Sequence, residues 1–258
     1  MVSLNDRKQV KEQYRTSVNL NTRISIHAKY SVNKQGFGNW IHEQYRLREN
    51  DRILELGCGN GSMWVDHELP EGAELILTDF SEGMLNAAKG NVGGRKNITF
   101  RVVDIQDIPY ADDSFDFVIA NMMLYHVPDL RKGLTEVKRV LKPGGIFCCA
   151  TTGTHGIAEY VQGLLSDYGV NPGTNISFTL QNGGELLKPY FSSVEMRRYE
   201  DRLEVTETAD LVEYILSMKE IADFRSVTEE QLYNVLEQQK KNGCITVPKD
   251  YGMFISVK

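Results

Sequence analysis

No apolar run in these 258 residues approaches the ~20 needed to cross a bilayer, so no membrane span is expected. The first residues, Met1 to Arg23, are polar and mixed in charge, and they lack the apolar core of a secretory leader. A cytoplasmic location is the expectation. Cys58, Cys148, Cys149 and Cys244 show no metal-ligand spacing, and no metal site is expected. Cys148 and Cys149 are adjacent on an expected strand, so they should point to opposite faces as small buried apolar groups. Basic charge is scarce too. The net charge is −6, and the densest spots, Arg197-Arg198 and Lys240-Lys241, are small. Enzymes of nucleic acids usually carry a basic surface or tail, so DNA or RNA is not the expected partner. Repeats, low-complexity tracts and an interdomain linker are all missing. With 41% apolar and 25% charged residues, the chain reads as a single domain over 1–258, a monomer or homodimer.

What is present concentrates in one stretch. Ile53-Leu54-Glu55-Leu56 is an apolar strand running into Gly57-Cys58-Gly59-Asn60-Gly61, and Leu75-Ile76-Leu77-Thr78-Asp79 is a second strand ending in a carboxylate. Glycines at 57, 59 and 61 let backbone approach a ligand where a Cβ would intrude. Asp79 sits where an acid accepts hydrogen bonds from a ribose diol. The pattern points to a nucleoside-containing cofactor. Glu55 narrows it, because a carboxylate two residues before Gly57 would repel the pyrophosphate of a dinucleotide. S-adenosylmethionine carries no phosphate, and its ammonium and sulfonium are favoured by a nearby carboxylate. The spacing is also Gly-x-Gly-x-Gly rather than Gly-x-Gly-x-x-Gly.

Strands and helices alternate from 51 to 151, the signature of a parallel sheet covered on both faces. Strands are expected near 52–57, 74–79, 98–103, 115–121 and 145–151, with helices near 61–69, 81–90 and 129–141. The last helix is the clearest: Leu130, Leu134, Val137 and Leu141 recur at helical spacing, Asp129 caps it, and Lys142-Pro143-Gly144-Gly145 stops it. Beyond 151, helices are expected over 158–168, 178–190, 208–219 and 228–241, and strands over 193–199 and 253–257. The four implicated strand ends (Gly57, Asp79, Asp104, Asn121) fall on one sheet edge, where ligands of such sheets bind.

Further motifs follow in order: Arg101-Val102-Val103-Asp104-Ile105-Gln106-Asp107, Ser114-Phe115-Asp116-Phe117-Val118-Ile119-Ala120-Asn121, Tyr125-His126-Val127-Pro128-Asp129 and Val140-Leu141-Lys142-Pro143-Gly144-Gly145. Over residues 51 to 151 the chain closely resembles the class I S-adenosylmethionine-dependent methyltransferases, particularly the branch that modifies small molecules. The resemblance implies an α/β, three-layer Rossmann-like sandwich with a mainly parallel seven-stranded sheet. Its last strand would be antiparallel and inserted beside strand five. Residues 1–50 would be a helical or lid segment, 51–151 the cofactor-binding core and 152–258 a substrate-side half with a helical insertion at about 200–249. It also implies transfer of a methyl group to a small-molecule acceptor with release of S-adenosylhomocysteine. Glu55, Gly57, Cys58, Gly59 and Gly61 would form the cofactor loop, and Asp79 would hold the ribose with Phe80 and Met84 flanking the adenosine. Asp104 would accept from the adenine amino group, with Ile105 on the ring face. Asn121, through its backbone carbonyl, and Met122 would meet the methionine part.

After Asn121 the chain reads Met122-Met123-Leu124, without the Pro-Pro-aromatic of amino-group DNA methyltransferases, so base methylation loses its support. His126 is read either as a hydrogen-bonded helix-entry residue or as a general base. The glycine-punctuated segment Tyr30 to Trp40, leading into a helix over 40–47, is read as a lid, with Tyr30 the residue reaching the site. His155 and Tyr160 are further candidates for the substrate pocket. Two rival functions remain: an NAD(P)-dependent oxidoreductase, disfavoured by Glu55 and by the lack of a Tyr-x-x-x-Lys, and a non-catalytic S-adenosylmethionine-binding regulator.

Overall fold

A computed structural model describes residues 18–169, 177–217 and 227–258. Expected helices in 1–17, and the end of the one over 208–219, lie outside the described residues. Helix α1 (Val18–Tyr30) and helix α2 (Phe37–Gln44) lead into strand β1 (Arg52–Leu56). Strand β2 (Glu74–Asp79), helix α3 (Glu82–Val92), strand β3 (Ile98–Val102) and strand β4 (Phe115–Ile119) follow. Helix α4 (Leu130–Val140) runs directly into the long strand β5 (Leu141–Thr152).

The sheet is built on burial from both sides. In β1, Ile53 packs with Leu85, Ala88 and Val92 of α3, whereas Leu54 and Leu56 pack with Leu134 and Val137 of α4. Strands buried on both faces read as continuous apolar runs, which is why β1, β2 and β4 were legible. Cys148 and Cys149 divide in the same way, one in each apolar layer, and both are buried.

After β5 come helix α5 (Ile157–Leu164), helix α6 (Gly183–Leu187), strand β6 (Ser193–Tyr199) and strand β7 (Arg202–Val205). Helix α7 (Thr208–Leu216), helix α8 (Glu229–Glu237), strand β8 (Ile245–Pro248) and strand β9 (Tyr251–Val257) complete the described chain. The seven-stranded sheet has the order β3-β2-β1-β4-β5-β9-β6. Strand β9 runs antiparallel between β5 and β6, as the resemblance implied. The remaining core is a separate apolar cluster in which Ile26 and Tyr30 of α1 meet α5, α7, α8 and the β7–β8 pair.

Four expectations need correction. The helix over 61–69 is a single 3-10 turn, Ser62–Trp64. The Arg95 guanidinium donates to the carbonyls of Trp64, Val65 and His67, so these carbonyls are taken by a side chain rather than by a continuing helix. The helix over 178–190 contracts to α6. The region around 200–249 is not purely helical, because β7 and β8 pair in their own two-stranded sheet. In the segment read as a lid, α2 begins at Phe37 rather than Trp40. The turn before it is tied to residues 201–203 by Val32 N–H donating to the Arg202 carbonyl and Asn33 N–H donating to Asp201.

Candidate functional site

A cavity of about 460 Å3 opens at the carboxyl ends of β1, β2 and β4. The glycine loop forms its floor. Gly57 has φ 71°, and a Cβ there would lie 2.9 Å from Met123 Cβ, so only glycine lets the chain turn beneath the cavity. Gly59 is also left-handed, at φ 56°, and its N–H donates to Asp79 Oδ2 over 3.0 Å. Asp79 Oδ1 accepts from Ser81 N–H at 2.8 Å, while Ser81 itself caps α3. Asp79 is therefore not the helix cap. Its burial, against those backbone donors, raises its pKa to about 6.

Glu55 is 3% exposed and accepts from Trp64 Nε1 at 2.5 Å. Burial lifts its pKa to about 7, with the Trp64 bond working in the opposite direction. Asp104 closes this side of the cavity, held by Gln106, whose N–H and side-chain amide both donate to it. Asn121 spends its side chain on structure: Nδ2 donates to Tyr45 Oη at 2.6 Å and Oδ1 accepts from Ala150 N–H. Its carbonyl is the part left for a ligand.

Of the residues expected from sequence, Glu55, Gly57, Cys58, Gly59, Asp79, Phe80, Asp104, Ile105, Asn121, Met122 and His126 all border this one cavity. Met122 does so from φ 53°, a conformation uncommon outside glycine, with its N–H donating to Ala150. Gly61, Met84 and Tyr30 are not brought there. At φ 71°, Gly61 faces α3, where a Cβ would lie 3.1 Å from Ala88 Cβ, so the glycine serves close packing. Met84 is 1% exposed in the first turn of α3, its N–H held by Ser81. Tyr30 is buried at the end of α1 and donates to Asp210 Oδ2 at 2.6 Å. His155 is exposed beside Glu159, and Tyr160 packs on the α7–α8 cluster rather than the cavity.

Sequence reasoning missed most of the other half of the cavity wall, to which His27, Thr152, Ile157, Tyr214 and Tyr251 contribute, while the segment read as a lid reaches it through Phe37. A local sign existed for α1, since Ile24 and His27 share a helix face and both line the cavity. Nothing local joins them to Tyr214 and Tyr251.

The donor set fits a cationic, phosphate-free nucleoside. Three acids line the cavity, and among the described residues no lysine or arginine does, so a pyrophosphate would meet like charge without a counter-ion. Among the described residues, the buried Glu55 carboxyl has an indole N–H as its one hydrogen-bond partner, so an ammonium or sulfonium near it would supply positive charge. Asp79 stands at the end of β2, its carboxylate fixed at the cavity by the N–H groups of Gly59 and Ser81.

Comparison with known proteins agrees. Residues 54–149 match the methyltransferase domain family. A demethylmenaquinone methyltransferase of Clavibacter sepedonicus is 42% identical over 95 residues, covering 37% of this chain and 38% of that protein. The chain thus spans about two fifths of the length of the curated relatives it matches. In fold, the YcgJ protein of Bacillus subtilis superposes with a TM-score of 0.61 at 20% identity, over 86% of this chain and 97% of its own. A phosphoethanolamine N-methyltransferase of Haemonchus contortus, in complex with S-adenosylhomocysteine, gives 0.60 at 20% identity, over 100% of this chain and 60% of its own. Residues 54–149, with the sheet built around them, thus form a methyltransferase domain of the class I S-adenosylmethionine-dependent kind.

Proposed function

We propose that this protein binds S-adenosylmethionine in the cavity beside Glu55, Asp79 and Asp104, and transfers its methyl group to a small-molecule acceptor. The observation that carries the reading is that these three acids and the glycine loop meet in one cavity that, among the described residues, no lysine or arginine lines. Asp79 takes the ribose, Asp104 and Ile105 the adenine, and Glu55 lies toward the charged methionine end. The chemistry is attack by an acceptor nucleophile on the activated methyl, for which the protein's main task is alignment. His126, on the cavity wall after β4, is the base for an acceptor that must lose a proton. A cavity of about 460 Å3, lined in part by Ile24, Phe37 and Ile157, suits a small molecule better than a polymer, and the net charge of −6 disfavours nucleic acid.

Calorimetric titration with S-adenosylmethionine, S-adenosylhomocysteine and NAD tests the assignment. Binding of both sulfur nucleosides without NAD is expected. Tight NAD binding with no response to either sulfur nucleoside overturns it.

A further inference from the structure

The cavity continues past the strand ends into a half walled by rings, to which His27, Phe37, Tyr125, Tyr214 and Tyr251 contribute. These rings are inclined to one another. His27 meets Tyr214 at 76° and Tyr251 at 70°, with centroids 5.8 Å apart in each pair. Phe37 meets Tyr251 at 44° over 5.1 Å. Rings set at such angles border a space from several sides instead of forming one flat stack.

The negative charge of the cavity lies at its other end, in Glu55, Asp79 and Asp104, and among the described residues no lysine or arginine lines any part of it. S-adenosylmethionine brings a single net positive charge. Its ribose and adenine, assigned above to Asp79 and Asp104, bring none. The filled cavity therefore keeps an excess of negative charge, which attracts a second cation and repels an anion.

The ring wall adds no charge against a cation. Burial, helped by the Lys249 charge, lowers the His27 pKa to about 3, so its imidazole is neutral near pH 7. Lys249 itself does not line the cavity. Its Nζ sits over the Tyr251 ring at 5.1 Å from the centroid, and Asp201, bonded to the ammonium, offsets its charge. One ring of this wall thus already holds a cation at the distance where the negative face of a π-system attracts it.

We propose that the methyl acceptor is an amine, held as a cation among Phe37, Tyr125, Tyr214 and Tyr251, and that the transfer is to nitrogen. The proposal rests on the methyltransferase reading above. The amine enters as its ammonium, and the sulfonium beside it favours loss of a proton to His126 and on to water. The freed nitrogen lone pair forms the new N–C bond while the C–S bond breaks and sulfur keeps the electron pair. Positive charge passes from sulfur to nitrogen, where the ring faces stabilise the methylated product.

The test is calorimetry on protein saturated with S-adenosylhomocysteine, using three probes of one branched shape: choline, 3,3-dimethylbutan-1-ol and 3,3-dimethylbutanoate. The first is a cation, the second its neutral carbon isostere and the third an anion. Choline is expected to bind at least about tenfold more tightly than the alcohol, and the butanoate more weakly still. Phe37→Leu keeps apolar bulk and removes one ring. It should weaken choline binding about fivefold, change the alcohol by less than about twofold, and leave S-adenosylhomocysteine affinity unchanged. The alcohol or the butanoate binding as tightly as choline, no binding of any probe, or a Phe37→Leu protein that treats choline and the alcohol alike overturns the proposal. The three-probe comparison uses the unaltered chain, so it decides the charge class whether or not the variant folds. Failure of S-adenosylhomocysteine itself to bind overturns instead the reading on which the proposal rests.

Discussion

Trp64 Nε1 donates to Glu55 Oε2 across 2.5 Å, joining the 3-10 turn after the glycine loop to the buried end of β1. The bond orients the carboxyl, yet burial dominates and raises its pKa from 4.5 to about 7. Below pH 4.5 the group is protonated both folded and unfolded. Between 4.5 and about 7 only the unfolded chain gives up the proton, so stability is lost as pH rises. Asp79 works in the same direction, raised to about 6. Glu55→Gln stays neutral throughout. Urea unfolding of the two ligand-free proteins should show the parent losing on the order of 3 kcal/mol relative to the variant across that window. A constant difference from pH 4 to 8 would mean that Glu55 titrates normally.

Asp79→Ala removes the carboxylate assigned to the ribose. Affinity for S-adenosylmethionine should fall by about 1.5–3 kcal/mol, the range for hydrogen bonds to a charged group. The same carboxylate also holds the N–H groups of Gly59 and Ser81, so part of the loss will come from a loosened loop. Asp79→Asn keeps one acceptor for those amides and should fall between parent and alanine. Equal affinities in titrations of all three proteins would mean that the ribose lies elsewhere.

The cofactor half was legible because its signals are local. Glu55, Gly57, Asp79 and Asp104 sit at the ends of apolar runs, and strands of a doubly covered parallel sheet deliver their ends to one edge. Gly61 and Met84 belong to the same motifs and were read with them. Only the fold separates a glycine beneath the cavity from a glycine beneath a helix. The far wall of the cavity was illegible for the opposite reason: His27 and Tyr251 are 224 residues apart and meet only through tertiary packing. The β7–β8 pair hid in the same way. Leu203 faces Val247, and the two strands are too short to announce themselves beside the helices between them.

Gly61→Ala should separate the two kinds of glycine. The new methyl meets Ala88 Cβ at 3.1 Å and the backbone keeps φ 71°, so a loss of about 1–3 kcal/mol in unfolding free energy is expected. Affinity for S-adenosylhomocysteine should change little, because the methyl points at α3 and not at the cavity. Lost binding at unchanged stability would return Gly61 to the cofactor loop.

Tyr30→Phe removes the hydroxyl bonded to Asp210 and leaves the ring in its apolar cluster. Unfolding free energy should drop by about 0.5–1.5 kcal/mol, the net value of a hydrogen bond. Titration with S-adenosylhomocysteine should be unaffected, since Tyr30 does not border the cavity. The opposite pattern, intact stability with impaired binding or turnover, would restore Tyr30 as a residue of the site.

Lys249 and Asp201 form an ion pair whose side chains are 1% and 0% exposed. Burial works to raise the Asp201 pKa, but the Lys249 ammonium and neighbouring donors outweigh it and hold the carboxyl below its usual range. The pair joins three segments, since Lys249 also donates to Ser31 Oγ and Asp201 accepts the Asn33 N–H. Lys249→Met strands a buried carboxylate, and a loss of about 3–5 kcal/mol is expected. Adding Asp201→Asn removes the stranded charge while keeping an acceptor for Asn33, so the double variant should regain most of that loss. Denaturant unfolding of the parent, both single variants and the double variant closes the cycle. A double variant no more stable than Lys249→Met alone would show that Lys249 acts through Ser31 and packing rather than through its charge on Asp201.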